Sequence, residues 1–417
     1  MTAYHPVISQ SRRRVITLLV IAGAAGFIAT TFKLLQGPLP RPIFPKVMFH
    51  EEPERYRDPL PVPSELPSKP ISQLSESLSS EQPNITEGLD IPDLLRALWA
   101  PSRLSVTSPE FTTLDGALKT LSPANELIHT EGLGRRICIL DVDNRPLDEA
   151  GGIFAKDAPT ADNMQPQTAG FLSHYLYAQI HGYSYRFVRA PKYNDRAPHW
   201  AKVIFTQELL KQFDIVVMLD YDVMFPSPEV PLEWMLNYWK IDREVIVAMA
   251  ADPDVDINLD VRRRVNVNTG FIIAQASEKA QQLFRDWAEC PEETRYQGCG
   301  QWKDRMFHEQ AGFSSYVRYD FLDGLTIESP QPYIRTLPCD EANGVPMTKD
   351  LGCTGQLVRH FWAHKGSTPL EFTHNIMHVM TPLLAKAAYG NPDFVLDYRD
   401  KVLQGDEILD QPGAALV

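Results

Sequence analysis

Positive charge is scarce relative to negative charge in this sequence. Of its 417 residues, 40 are lysine or arginine and 53 are aspartate or glutamate, so the formal net charge is −13 at pH 7. A protein that binds nucleic acid needs a basic face for the phosphate backbone, and this balance argues against nucleic acid as a partner. A nucleotide diphosphate is compatible with it, because a metal ion can neutralise the phosphates locally.

Cysteine is also scarce, and none of the five cysteines forms a Cys-x-x-Cys pair, which argues against a zinc site. Cys138 sits in an apolar run, so we expect a buried free thiol there. The other four lie late in the chain, in sequence typical of loops. If that region is lumenal, Cys290 with Cys299 and Cys339 with Cys353 are candidate disulfides, although four cysteines allow three pairings and the sequence does not choose among them.

An uncharged stretch at residues 15–32 directly follows the consecutive arginines at positions 12–14. Its length is close to the ~20 residues with which a helix crosses a bilayer, and basic residues keep the preceding segment in the cytoplasm. We expect a cytoplasmic tail at 1–14 and a transmembrane signal anchor at 15–35. The protein would then be a single-pass type II membrane protein of the Golgi or ER with a lumenal domain. A cleaved signal peptide is the alternative interpretation.

Proline is dense from residue 36 to about residue 110, with serine, glutamate and glutamine between the prolines. Proline interrupts helices and central strands, and such a polar segment cannot bury enough apolar surface to fold. We therefore expect an extended stem and linker over residues 36–134, with a glycosylation sequon at Asn84. A folded domain is expected over 135–395 and a polar C-terminal tail over 396–417.

Apolar strands alternate with amphipathic helices in the folded domain. The predicted strands lie at residues 136–141, 184–188, 214–219 and 244–250, and the predicted helices at 168–182, 201–213 and 277–289. Thr168 is a candidate N-cap and Gly182 a candidate stop signal. The alternation predicts an α/β domain with a mostly parallel sheet, whose ligands bind beyond the carboxyl ends of the strands.

Two carboxylates one residue apart, Asp220 and Asp222, directly follow the apolar strand at 214–219. In a turn at a strand end both can approach one cation, and their hard oxygen atoms suit Mn²⁺ or Mg²⁺. Such an ion can bridge the diphosphate of a nucleotide sugar and stabilise the charge that builds up on the leaving group. A solvated acidic turn is the alternative, since Asp-x-Asp sequences are common.

The segment Asp220-Tyr221-Asp222 and its flanks resemble the GT-A nucleotide-diphospho-sugar transferases, most of all the galactosyl-, mannosyl- and xylosyltransferases of glycosyltransferase family 34. The likeness spans roughly residues 135–389 and includes further pieces in the same order. They are Tyr177-Ala178-x-x-His181-Gly182-Tyr183, Trp200-Ala201-Lys202, Asn268-Thr269-Gly270-Phe271, His308-Glu309-Gln310 and the segment from His360 to Gly366. The resemblance implies a Rossmann-like GT-A domain with hexosyl- or pentosyltransferase activity.

The resemblance also implies roles for individual residues. The catalytic residues that it implies are Gln310, Glu309 and Asn268. The nucleotide-sugar-binding residues that it implies are Asp141, Lys202, Asp220, Tyr221, Asp222, Gly270 and Lys365. The metal ligands that it implies are Asp220, Asp222 and His360, with His364 as the alternative third ligand. The related families retain the anomeric configuration, so we expect a retaining reaction in which Gln310 and Asn268 steady an oxocarbenium ion.

The implied partners are a nucleotide-sugar donor, with a UDP-sugar preferred over GDP-mannose, and a glycan, glycoprotein or glycolipid acceptor. A homo- or hetero-oligomer is compatible with the resemblance.

Two alternatives assign the chain to a different class of protein. Leu140-Asp141-Val142-Asp143 resembles the nucleophile motif of haloacid dehalogenase phosphatases, but Asn144-Arg145-Pro146 lacks the threonine that this chemistry needs. The second alternative is a non-catalytic, membrane-anchored subunit of a transferase complex, against which the intact Asp220 and Asp222 argue.

Overall fold

A computed structural model of the protein describes residues 90–321, 333–391 and 394. The predicted cytoplasmic tail, the signal anchor, the Asn84 sequon and the polar C-terminal tail lie outside these residues. Within the described ranges, no helix is both long enough and apolar enough to cross a membrane.

Helices and strands are numbered separately along the chain. The helices are α1 (Ile91–Trp99), α2 (Pro166–His181), α3 (Ala201–Leu209), α4 (Leu232–Tyr238), α5 (Glu278–Ala288), α6 (His308–Ser315), α7 (Cys339–Ala342) and α8 (Thr368–Tyr389). The strands are β1 (Glu110–Thr112), β2 (Leu118–Thr120), β3 (Ile137–Asp143), β4 (Ser184–Arg189), β5 (Ile215–Leu219), β6 (Val223–Met224), β7 (Val247–Ala251), β8 (Val267–Gln275), β9 (Ile334–Leu337) and β10 (Arg359–His360).

A six-stranded mixed sheet forms the centre of the domain, with strand order β4-β3-β5-β8-β7-β9. β3 runs parallel to β4 and β5, and β9 runs parallel to β7, whereas β8 is antiparallel to both β5 and β7. The predicted α/β class is confirmed, but the sheet is mixed rather than mostly parallel. The prediction failed at β8, because polar residues open this strand and its continuous apolar run starts only at Phe271.

Alternate side chains of the central strands point into two separate layers of the core, as strand geometry requires. On one side of the sheet Val216 packs with residues of α3 and α5, and on the other Val217 packs with residues of α2 and α4. All residues of β5 are buried. Helices on both faces explain the absence of polar alternation in β5, and they fix the position of the turn that follows it.

The start of α2 differs from the prediction. The helix begins at Pro166, with Gln165 as the N-cap, because proline is favoured at the first helical position, where its missing N–H would have no partner anyway. Thr168 lies inside the helix and its hydroxyl donates to the Gly151 carbonyl (2.8 Å), so the predicted N-cap is wrong. Gly182 does end the helix, with a φ of 71° in the left-handed region.

The C-terminal part of the predicted stem is folded rather than extended. Trp99 at the end of α1 is buried in a cluster with Ile180 of α2 and Val379 of α8, and Leu95 and Leu98 pack against the same cluster. An antiparallel pair, β1 with β2, follows in the chain. Helical spacing of apolar residues gives α1 one face to bury, and this outweighs the proline content of the neighbouring sequence.

The structure pairs Cys290 with Cys299 and Cys339 with Cys353, which are the two candidate disulfides. Cys138 is buried and unpaired, as expected from its apolar neighbours. Burial raises the pKa of its thiol to about 12, so Cys138 is a packing residue rather than a nucleophile at neutral pH.

Candidate active site

The predicted metal motif forms a tight turn between β5 and β6. The Asp220 N–H donates to the Gly270 carbonyl (2.8 Å), and the Val223 N–H donates to the Asp220 carbonyl (2.8 Å). β6 then pairs with β10, which places His360 opposite Val223. As a result, ligand atoms of Asp220, Asp222 and His360 lie within 4.8 Å of one another.

Gly270 makes room for the imidazole ring of this cluster. A Cβ atom at residue 270 would lie 2.3 Å from His360 Cε1, far inside van der Waals contact. The predicted donor contact of Gly270 therefore has a second explanation, which is space for the ring. His364, the alternative third ligand, is not part of the cluster.

Asp222 is the most deeply buried member of the cluster, with 1% of its side chain exposed. Burial alone would raise the pKa of this carboxyl, but His360 and Lys365, whose Nε2 and Nζ lie 3.7 Å and 3.0 Å from Asp222 Oδ2, hold the pKa well below its usual range. Among the described residues, Oδ2 accepts no hydrogen bond of good geometry. Buried polar atoms normally have such a partner. A hard divalent cation, which a second carboxylate and an imidazole could also bind, would instead satisfy this oxygen by coordination.

Lys202 contacts carboxylates rather than facing an open site. Its Nζ lies 2.8 Å from Asp220 Oδ1 and 3.0 Å from Glu309 Oε1, and it donates to the Thr269 carbonyl (3.4 Å). Burial opposes the ammonium charge, but the two carboxylates raise the pKa of Lys202 above its ordinary value. In this arrangement Lys202 orients Asp220, and its predicted contact with phosphate stays a prediction.

Glu309 is the second partner of Lys202 and is almost fully buried at 3% exposure. It also accepts a hydrogen bond from the Thr269 hydroxyl (2.9 Å). Burial would raise the pKa of Glu309, yet the Lys202 ammonium lowers it. A carboxylate enclosed in this way supports the turn that contains Asp220, and the catalytic role that the resemblance implies for Glu309 stays a prediction.

A buried carboxylate without a predicted role, Asp252, follows β7. Its Oδ1 accepts from Asn268 Nδ2 (2.8 Å) and Asn343 Nδ2 (3.4 Å), and its Oδ2 accepts from Gln310 Nε2 (2.6 Å). Burial raises the pKa of Asp252 despite these amide donors. Sequence reasoning missed Asp252 because only its position just beyond the end of a buried strand marks it as a site residue.

The same network determines which atoms Asn268 and Gln310 present. Asn268 Oδ1 accepts the Gly270 N–H (2.9 Å), and Gln310 Oε1 accepts the Thr269 N–H (3.2 Å). Both amide oxygens therefore have backbone donors, whereas the predicted roles required those oxygens to face an oxocarbenium ion. The orientation of an amide depends on its partners, and these come from strands that are distant in sequence.

Asp141 is not one of the clustered ligands. It is fully buried, its Oδ1 lies 2.7 Å from His174 Nδ1, and its Oδ2 accepts from the Tyr185 hydroxyl (2.6 Å). Both oxygens are engaged in the core rather than facing an open site, because β3 continues to Asp143, two residues past the predicted strand end. The predicted nucleotide contact of Asp141 stays a prediction.

Cationic and aromatic side chains line the approach to Asp222. The Arg145 guanidinium, which is ion-paired with Asp143, lies 4.7 Å from the ring centroid of Tyr221. Lys365 Nζ lies 5.3 Å from the same centroid and its side chain is 51% exposed. The structure thus brings Tyr221 and Lys365 together as predicted site residues and adds Arg145, which its place beyond the carboxyl end of β3 could have indicated.

Residues 190–344 match the family model of the nucleotide-diphospho-sugar transferases. The matched stretch contains the turn with Asp220 and Asp222, the Asp252 network and Lys202, and it ends before His360. This match confirms the predicted enzyme class, a glycosyltransferase, and implies a nucleotide-sugar donor.

Two solved glycosyltransferase structures are similar to part of this chain. One, a glycosyltransferase involved in the glycosylation of the major capsid of PBCV-1, shares 13% identity with a TM-score of 0.37 and covers 57% of this chain and 98% of its own. The other, the bifunctional glycosyltransferase WbbM in its apo form, shares 13% identity with a TM-score of 0.33 and covers 64% of this chain and 53% of its own. This chain thus spans about half the length of the second protein. No curated protein matches the chain.

Proposed function

We propose that this protein is a metal-dependent, retaining glycosyltransferase of the GT-A type, related to glycosyltransferase family 34. It moves a hexosyl or pentosyl group from a nucleotide-diphosphate sugar to a glycan, glycoprotein or glycolipid. The observation that carries the proposal is the cluster of Asp220, Asp222 and His360 in a chain that matches the nucleotide-diphospho-sugar transferases.

The cluster offers two carboxylates and an imidazole to Mn²⁺ or Mg²⁺. When bound, such an ion stabilises negative charge on a diphosphate leaving group. The surrounding chain holds the ligands in place, since Lys202 orients Asp220 and Lys365 faces Asp222. These two cations also reduce the repulsion between the neighbouring carboxylates.

The rim of the site suits a nucleoside diphosphate. Arg145, whose Nε and Nη2 hold Asp143, adds a fixed guanidinium charge, Lys365 offers a mobile point charge, and both lie near the Tyr221 ring. We expect a UDP-sugar as the donor, with GDP-mannose as the second choice. Asp252 is linked to Gly270 through Asn268. Its Oδ2 accepts from Gln310, and since a carboxylate oxygen can accept two hydrogen bonds, it can also accept one from a hydroxyl group of the donor sugar.

Retention of configuration is part of the proposal. An inverting transferase needs a base for the attacking hydroxyl, usually a carboxylate. Glu309 is held by Lys202 and Thr269, and Asp252 is enclosed by amides, so neither is a free base. In a retaining reaction the departing phosphate itself can take the acceptor proton. An α-linked donor is then expected to give an α-linked product.

The cellular setting belongs to the same proposal. A type II topology with a signal anchor at residues 15–35 would place the catalytic domain in the lumen of the Golgi or ER. The pairs Cys290–Cys299 and Cys339–Cys353 support an oxidising compartment, because disulfides persist there and are rare in the cytosol.

Asp222→Asn tests the proposed metal site. We expect it to lower Mn²⁺-dependent sugar transfer or donor hydrolysis by about 100-fold or more, because an amide cannot replace a charged ligand and even groups that only support metal ligands cost about 10- to 100-fold when changed. Asp214→Asn is the matched control, since Asp214 is exposed and precedes the same strand, and it is expected to keep wild-type activity. The assay uses the full-length chain.

The donor is identified by thermal shifts of the full-length chain with Mn²⁺ and a panel of UDP- and GDP-sugars, since a ligand of the native state raises its melting temperature. NMR of the anomeric proton of the product then reports the stereochemistry.

Equal activity of Asp222→Asn and Asp214→Asn would overturn the metal assignment, and a β-linked product from an α-donor would overturn retention. A wild-type chain that neither binds nor hydrolyses any donor would favour the non-catalytic subunit instead.

A further inference from the structure

The turn between β5 and β6 that contains Asp220 and Asp222, called the metal turn below, rests against helix α2. A Cβ atom at Gly170 would lie 1.7 Å from the Tyr221 carbonyl oxygen, so the backbone of the helix is in direct contact with the turn. His174 lies four residues later, which places it on the same face of the helix one turn away. The contact surface of α2 with the turn is therefore formed by a glycine and a histidine.

His174 joins the core of the sheet to the turn. Its ring is fully buried, with Nε2 2.6 Å from the Val223 carbonyl oxygen and Nδ1 2.7 Å from Asp141 Oδ1. A carbonyl oxygen can only accept, so Nε2 carries a hydrogen atom. Burial would lower the pKa of His174, but the Asp141 carboxylate raises it above the ordinary value, which favours a charge-assisted contact at Nδ1.

Val223 connects two of the proposed metal ligands, Asp222 and His360. It follows Asp222 in the chain and is paired with His360 across the β6–β10 ladder. That ladder consists of two residue pairs, and a two-stranded ribbon is marginally stable by itself. The hydrogen bond from His174 ties this short ribbon to α2 and, through Asp141, to the central strand β3.

We propose that His174 is a positioning residue for the metal cluster. By donating to the Val223 carbonyl, it fixes the separation of Asp222 and His360 that a divalent cation needs. His174 is not itself one of the clustered ligands and acts through Val223. This inference rests on the proposed function, and it assigns a role in the transfer reaction to a residue that would otherwise count as core packing.

Two substitutions separate this role from simple stabilisation. The side-chain amide nitrogen of Asn stands close to the position of Nδ1, and that of Gln close to the position of Nε2. His174→Asn therefore keeps a donor to Asp141 and loses the bond to Val223, whereas His174→Gln keeps the bond to Val223 and loses the one to Asp141. Each variant loses one buried hydrogen bond, so both are expected to melt at a lower temperature than the wild type in EDTA.

Mn²⁺ titrations distinguish the variants. The full-length chain is titrated with Mn²⁺ in the presence of UDP, and the rise in melting temperature is followed. We expect His174→Asn to weaken the apparent Mn²⁺ affinity by about 10-fold, the lower end of the effect of residues that support metal ligands, and His174→Gln to stay near wild type. Equal affinities in the two variants would overturn the positioning role while leaving the proposed function intact. A wild-type chain without any Mn²⁺ response would overturn both.

A measurement on the wild type covers the case in which His174→Asn does not fold. In protein labelled with ¹⁵N-histidine, the Nε2–H signal of His174 is expected to shift when Mg²⁺ and UDP are added, because its acceptor is part of the metal turn. His181 is the matched control, since it lies on the same helix and its Nε2 bonds another carbonyl, that of Pro228 (2.8 Å). Loss of one signal in His174→Gln assigns the spectrum. Identical behaviour of the two signals would contradict the proposal.

Discussion

At the scale of single residues, the space for the His360 ring depends on the missing side chain of Gly270. We expect Gly270→Ala to displace the imidazole, because the added methyl group would lie 2.3 Å from Cε1, and to lower the apparent Mn²⁺ affinity about 10-fold or more. The loss of unfolding free energy is expected to stay within the ~1–3 kcal/mol typical of one extra methyl group in a packed site. Mn²⁺ titration and urea unfolding of the full-length chain measure the two effects.

Gly366→Ala is the control for that substitution, since a Cβ atom there meets nothing within 4 Å and the residue adjoins Lys365 in the same segment. It is expected to bind Mn²⁺ like the wild type. If Gly270→Ala also bound Mn²⁺ normally, His360 would not be the third ligand, and the cluster would have to be completed by another group.

The residue types of the site were predictable from the sequence, but their partners were not. Asp220 and Asp222 follow an apolar strand, and this pattern is visible without a structure. His360 entered only through the order of family motifs. Lys202 and Asp141 were assigned to the donor, and the structure instead gives them carboxylate, imidazole and hydroxyl partners. Such pairings arise between elements far apart in the chain, and no local pattern encodes them.

At the scale of elements, substitutions in α1 test whether this helix belongs to the folded domain. We expect Trp99→Ala to lower the free energy of unfolding by about 3–5 kcal/mol, the usual loss when a large buried aromatic side chain is removed, because Trp99 packs between α2 and α8. Leu94→Ala on the same helix is the control, since Leu94 is 48% exposed; a change within ~0.5 kcal/mol is expected. The midpoint of urea unfolding measures both. If Trp99→Ala lost as little unfolding free energy as Leu94→Ala, α1 would be a dispensable part of the stem.

Helices and strands with a regular pattern of apolar residues were predicted closely, and those whose apolar pattern is interrupted by polar residues or proline were not. β5 differs from its predicted bounds by one residue at its start, and α5 by one residue at each end, because an uninterrupted apolar run marks the strand and a clear helical period marks the helix. β8 was overlooked because it opens with polar residues that also serve the site. α8 was overlooked too, and Pro382 inside it breaks the pattern by which a helix is recognised.

At the scale of the whole molecule, buried carboxylates couple stability to pH. Glu341 connects separate parts of the chain, since it accepts from Lys119 of β2 (2.7 Å), from the Tyr238 hydroxyl at the end of α4 (2.7 Å) and from the Trp239 indole (2.9 Å). Burial alone would raise the pKa of Glu341, but the Lys119 ammonium and the two hydrogen bonds lower it below its ordinary value.

The sign of the pH effect follows from that lowered pKa. As the pH falls through the ordinary pKa of glutamate, the unfolded chain takes up a proton before the folded chain does, so the stability that Glu341 contributes is present at neutral pH and is lost as the pH falls through its folded pKa. We expect the urea midpoint in EDTA to begin to fall below about pH 5 and to continue falling as the pH passes through the folded pKa of Glu341. Glu341→Gln keeps an acceptor oxygen but has no carboxyl group to titrate, so its midpoint is expected to be lower at neutral pH and to fall less steeply. Glu244→Gln, at an exposed position, is expected to keep the wild-type steepness. Equal steepness in all three proteins would mean that the buried contacts of Glu341 do not distinguish its charged from its neutral form.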